Sequence, residues 1–343
     1  LPAEDCRAAA RALGNVALMR LNRHDHEAAA RHARQSIEFQ RGCLPDERPH
    51  AGALGVLGSS LRFLGDLEGG LAAARQAREI AEQEWQPGDT RTQFNLAAAL
   101  WREAMALGAH DGVSLGRTAE AAALLQREVE ILERLSEADP RESASRLRTA
   151  TAIRELGPLL LERSPQRSAA LYELGLQRLR ETPDDRTARL SEADLLAGST
   201  YPLHSLGRGQ EAARRAARAV EILKAAGGLK SGLVEAGSEA ERVLRADADS
   251  LAARGEGRQA AAKYEELWGL LLASRPDPEG NLRDAAAVSR VLRGLGQAQA
   301  RAGDAQRAAE TAARRLALWR HWQAKLPGNA FVEREAQRAA ALP

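Results

Sequence analysis

Aromatic side chains are scarce in this chain: Phe, Tyr and Trp together make up 3% of 343 residues. Charge of one sign is also missing. The 49 Lys and Arg stand against 47 Asp and Glu, for a net +2, so nothing in the balance asks for nucleic acid or an anionic membrane. No run of about 18 apolar residues occurs, which excludes a bilayer-spanning helix within the sequence. Cysteine occurs twice, too seldom for a disulfide framework. What remains is rich in Ala, Leu, Arg, Glu and Gln, the strongest helix formers, with long stretches free of Pro and of β-branched runs. That composition points to an all-α protein.

The positive signal is a repeat. Its clearest copy is Leu292 to Glu310, LRGLGQAQARAGDAQRAAE. Small residues at Gly296, Ala300 and Ala308 let two helices approach closely, while Leu292 and Leu295 supply an apolar stripe. Gly303 provides the left-handed residue that ends a first helix, and Asp304 can cap a second. Val56 to Leu71 repeats the pattern with Leu57-Gly58, Gly65-Asp66 and Gly70. Leu156-Gly157, Ser164-Pro165 and Ala169 form a third full match, with Pro165 suited to a helix's first turn. Weaker copies keep only the spacing from turn to small residue, giving the anchor series Ala28, Gly70, Ala121, Ala169, Ala212, Ala260 and Ala308.

Leu-Gly in a first helix, Gly-Asp at the turn and Ala early in the second helix resemble the tetratricopeptide repeat. The anchors here are separated by 42 to 51 residues. That period exceeds the family's roughly 34, so longer helices or looser connections are expected. The resemblance implies a single all-α domain over 1–343: a right-handed superhelical solenoid of about seven hairpins and a C-terminal cap. The expected hairpins run 5–42, 49–85, 90–137, 143–180, 186–225, 234–273 and 281–324, with the cap at 331–342. Breakers fall between them, Pro140 and Pro183 included. Two segments depart from regularity, Leu107–Gly116 (LGAHDGVSLG) in the third turn and Gly227–Gly232 after the fifth hairpin.

A narrower likeness covers Ile131 to Ser164, which is similar to the C-terminal repeat regions of some bacterial Ser/Thr kinases. No kinase motif lies in the chain, and it opens at Leu1 rather than Met. It therefore reads as a fragment or processed form, and any catalytic part would precede Leu1.

No nucleophile, base and orienter set is recognisable, so no enzyme activity and no cofactor are implied. His24, His26, Glu27 and His32 cluster near the first turn, but a solvated helix entry capped by Asp25 explains them better than a metal centre does. Trp319 and Trp322 share a helix face and suit packing against Phe331. Cys6 and Cys43 lie at similar distances on either side of the first turn, which places them side by side at the open end of one hairpin. A disulfide is geometrically allowed there, and an oxidising compartment would follow. Two unrelated reduced thiols are the plainer reading.

By the resemblance, ligand segments lie along the concave face lined by first helices. Family groove positions carry over to Arg11 and Asn15, Ser59 and Phe63, and Arg91, Phe94 and Trp101. They continue as Thr151, Arg154 and Glu162, then Asp194, Tyr201 and His204, then Arg242, Arg245 and Asp249. Arg290, Arg293, Gln297 and Arg301 complete the series. Val56 and Asn95 break the pattern of the family's chaperone-tail clamp, so that role is not expected. Arg242, Arg245, Arg290, Arg293 and Arg301 would line one wall, and arginine forks hold carboxylates or phosphates bidentately, so this end suits an acidic or phosphorylated segment. The plainer alternative is that these arginines are solvated or paired with the chain's own Glu and Asp. The expected function is a non-catalytic protein-interaction scaffold holding a protein or peptide, with an acidic segment the best fit. The alternative is a regulatory repeat region of a larger bacterial signalling kinase.

Overall fold

A computed structural model describes residues 2–139, 143–183 and 185–341. Pro140 and Leu342, a breaker and the last expected residue of the cap, lie outside the described residues. Fifteen helices and no strand occur among the described residues. They are α1 (Ala3–Asn22), α2 (His26–Cys43), α3 (Ala51–Phe63), α4 (Leu67–Glu84), α5 (Thr90–Gly108), α6 (Thr118–Ala138) and α7 (Ala144–Leu160). Then come α8 (Pro165–Arg180), α9 (Arg186–Ser205), α10 (Gly209–Ala225), α11 (Glu239–Ala253), α12 (Gly257–Ala273), α13 (Leu282–Arg301), α14 (Ala305–Lys325) and α15 (Ala330–Ala340). Helices α1 and α2, α3 and α4, α7 and α8, α9 and α10, α11 and α12, and α13 and α14 pair into hairpins, and α15 packs on α14.

The local causes are those written in the repeat. Gly65 and Gly303 adopt left-handed φ of 93° and 85°, which frees the chain to reverse. Asp66 accepts from Gly69 N at 2.9 Å and Asp304 from Arg307 N at 3.1 Å, capping the helices that follow. In the second hairpin the small residues set the contact distance. A Cβ on Gly58 would lie 2.7 Å from the Gly70 carbonyl oxygen, and one on Gly70 would lie 2.9 Å from that of Gly58. No larger residue fits either position without moving backbone.

The described chain forms two compact units. Unit 1 comprises residues 1–109 and 113–135; unit 2 comprises 110–112 and 136–343. Within unit 1, α1, α3 and α5 make one layer, and α2 and α4 pair with it from the other side. The first hairpin is closed by a Cys6–Cys43 disulfide, with Cα atoms 6.3 Å apart. Of the two readings the sequence left open for these cysteines, the structure takes the bridged one. His26 is buried and stacks on Phe63 with ring centroids 4.6 Å apart, while His32 pairs with Gln35 at 3.0 Å. These histidines serve packing and a local contact.

Within unit 2, α7, α9, α11 and α13 lie side by side as the first-helix layer, and α8, α10, α12 and α14 form the second. Its core holds Ile153, Leu156, Tyr172, Leu195, Leu203 and Tyr264, each with at most 2% of its surface exposed. Burial of such side chains contributes about 1.5–3 kcal/mol apiece. Trp319 meets Phe331 edge to face at 5.5 Å and donates its indole N–H to Ser289 Oγ at 2.8 Å, which fastens α15. Trp322 donates to the Pro278 carbonyl at 2.8 Å.

Candidate functional site

A repeat period near 48 residues brings equivalent positions of neighbouring first helices face to face, and in unit 2 those positions are ionic. On α11, Arg242 and Arg245 stand three residues apart and share a face. Arg242 grips Asp194 of α9 with a fork, Nε at 2.8 Å from Oδ1 and Nη2 at 2.7 Å from Oδ2. Its Nη1 donates to the Gly237 carbonyl at 2.8 Å. Arg154 of α7 adds a second cation 3.6 Å from Asp194.

One residue before Arg242 on α11, Glu241 is the hub. Its side chain is wholly inaccessible, and each oxygen takes one arginine: Oε1 from Arg245 Nε at 3.1 Å, Oε2 from Arg290 Nη2 of α13 at 3.2 Å. Arg245 Nη1 also donates to the Tyr201 hydroxyl at 3.2 Å, and that hydroxyl donates to Asp249 at 2.7 Å. Asp249 takes a further hydrogen bond from Tyr264 of α12. His204 and Ser250 close the row at 3.0 Å.

The last pairing leaves the helix layer. Arg290 Nη1 donates to the backbone carbonyl of Asp111 at 2.8 Å, and Arg293 Nη2 reaches its carboxylate at 2.6 Å. Asp111 holds a left-handed φ of 50°, uncommon away from glycine though tolerated by Asp, and this aims carbonyl and carboxylate at two arginines together.

Electrostatics follow from this geometry. Burial pushes the Asp194 carboxyl upward, but Arg242 and Arg154 more than reverse it and hold it below the ordinary carboxylate range. Glu241 behaves alike, with burial outweighed by Arg290, Arg245 and Arg242. Burial also drives the Tyr201 hydroxyl well above its usual value, so it stays protonated as a donor.

Comparisons with known proteins bear on the fold. No family profile matches the chain, and no curated protein matches it. Solved structures do. The apo form of RapI is similar over 92% of this chain and 99% of its own, with TM-score 0.60 and 12% identity. A signal-transduction ATPase with a tetratricopeptide repeat sensor, from Pyrococcus horikoshii, is similar over 96% of this chain and 44% of its own, with TM-score 0.53 and 14% identity. The chain has a tetratricopeptide-repeat-like fold. The Rap conjugation gene regulator of plasmid pLS20, solved with the Phr* peptide, shares it over 95% of this chain and 73% of its own, with TM-score 0.51 and 13% identity.

Within this repeat-like fold the groove positions inferred from the repeat are distributed unevenly. Arg242, Arg245, Arg290, Arg293 and Tyr201 come together in one network of unit 2, each arginine already holding a carboxylate of the chain. The plainer reading of these arginines, paired rather than bare, describes the structure. Arg301 is exposed in the last turn of α13, outside that network. Arg91 and Trp101 belong to unit 1. Arg91 is 81% exposed beside Asp89, and the Trp101 indole N–H is buried without a hydrogen-bond partner.

Sequence reasoning passed over Glu241 and Asp111. The first was signalled by its place four residues before Arg245, the spacing of a helical ion pair. The second sits in LGAHDGVSLG, the turn noted as irregular, whose Asp-Gly step suits a left-handed residue.

Proposed function

We propose that the chain is a non-catalytic protein-interaction scaffold whose first-helix layer in unit 2 holds a carboxylate-bearing segment of a partner. The observation that carries this reading is the row of Arg242, Arg245, Arg290 and Arg293 on two adjacent helices, with Tyr201 beside it. Guanidinium forks fix carboxylates in position as well as attracting them, so such a row selects both charge and register. The peptide bound to the pLS20 regulator supports a peptide as the class of partner, since that protein shares the fold. The likeness of 131–164 to kinase-linked repeats gains no support from these neighbours.

The test is fluorescence anisotropy on the full chain with two labelled probes, one of alternating Asp and Gly and one of alternating Lys and Gly. The acidic probe should bind, the basic one should not, and binding should weaken as salt rises. Arg245→Ala with Arg293→Ala should cost roughly 2–5 kcal/mol of binding where the pairs are desolvated, and much less at a rim. Equal binding of both probes, or binding indifferent to salt and to both substitutions, would refute the assignment.

A further inference from the structure

Among the acids facing the arginine row, one differs in origin. Asp194, Glu241 and Asp249 come from the first helices themselves, where they are fixed by the stacking. Asp111 comes from the irregular turn between α5 and α6, and only its tip, residues 110–112, belongs to unit 2. Among the described residues, the hydrogen bonds of Arg293 go to Asp111 alone, and Arg290 spends Nη1 on the carbonyl of the same residue. A turn residue offering both its backbone carbonyl and its carboxylate is what an aspartate in a turn of an acidic peptide would offer. The Asp111 side chain is 15% exposed, so the contact is largely closed to water.

We infer that the His110–Gly112 tip is the resident occupant of the arginine site, and that the site's ligand is a segment whose aspartate presents carboxylate to Arg293 and carbonyl to Arg290. The inference rests on the proposed peptide-binding role and adds to it a competitor built into the chain. While the tip is seated, Arg293 and half of the Arg290 fork are taken, and a partner binds only the fraction of molecules in which they are vacant. If the tip is seated about nine-tenths of the time, apparent affinity is about tenfold weaker than intrinsic affinity.

Asp111→Asn tests this, since Asn also tolerates a left-handed φ and keeps the shape while removing the charge. With the probe of alternating Asp and Gly, the variant should bind about tenfold more tightly than the parent chain, on the same occupancy arithmetic. Adding Arg293→Gln to Asp111→Asn should cancel that gain. A second measurement uses the unaltered chain: hydrogen exchange in 107–117 should quicken when the probe saturates it. If the parent and Asp111→Asn bind the probe equally, and Arg293→Gln weakens both, the peptide site stands and the resident occupant is refuted. Unchanged protection of 107–117 with probe bound refutes it too. If Arg293→Gln affects neither chain, or no chain binds, both the occupant and the site fall.

Discussion

Replacing Glu241 with alanine removes a fully buried acid that two arginines share. The carboxylate is fully inaccessible, and its arginines, each 16% exposed, sit at 3.1 and 3.2 Å. Without it, Arg245 keeps the Tyr201 hydroxyl and Asp249 at 3.9 Å, while Arg290 keeps, among the described residues, the Asp111 carbonyl alone. Breaking a buried pair by deleting one partner costs about 3–5 kcal/mol, because the remaining charge is left uncompensated. The surviving partners place this case near 3 kcal/mol. The helix cap, in which the Glu241 backbone N–H donates to Ser238 Oγ at 3.3 Å, is untouched, so the loss belongs to the side chain. Glu241→Gln retains volume and one acceptor and should lose about 1.5–3 kcal/mol, the worth of a hydrogen bond to a charged group.

Urea unfolding followed by circular dichroism at neutral pH measures both variants. Acid sharpens the test. With its folded pKa lowered, Glu241 stabilises fully above its unfolded value of about 4.3, and that contribution disappears as pH falls through the folded value. The gap between the parent chain and Glu241→Gln should therefore be widest near pH 7 and close on acidification. A loss under about 1 kcal/mol at neutral pH, against the 3–5 expected for a broken buried pair, would refute the account of the hub. A gap that stays constant down to pH 3 would do the same.

Gly58→Ala should destabilise unit 1 by about 1–3 kcal/mol through overpacking, less up to about 1 kcal/mol returned by alanine's helix preference. Its added Cβ would meet the Gly70 carbonyl at 2.7 Å, so a rise in melting temperature would contradict that contact. Cys6→Ser with Cys43→Ser opens a bridge spanning 37 residues and should cost roughly 2–4 kcal/mol, seen as faster hydrogen exchange in α1 and α2. Alkylation of either thiol in the unreduced folded chain would show the bridge to be absent.

The local grammar was legible in the sequence because its causes are local. Gly303 ends α13 and Asp304 caps α14 through groups a few residues apart, so both roles follow from residue type and spacing. Gly58 and Gly70 were readable as small residues, since a hairpin with a short turn must bring one helix against the next. The groove arginines could be placed on first helices by register alone. Their partners could not. Arg242 meets Asp194 and Arg290 meets Glu241 across 48 and 49 residues, a distance set by how long each hairpin is and how the helices stack. The separation of 182 residues between Arg293 and Asp111 is not a multiple of that spacing. Helix, turn and repeat were thus determined by short-range sterics and hydrogen bonding. Which charge neutralises which, and whether two thiols become one bridge, was decided only when tertiary packing set side chains within a few ångströms, because ion pairing and sulfur chemistry depend on distance in space rather than along the chain.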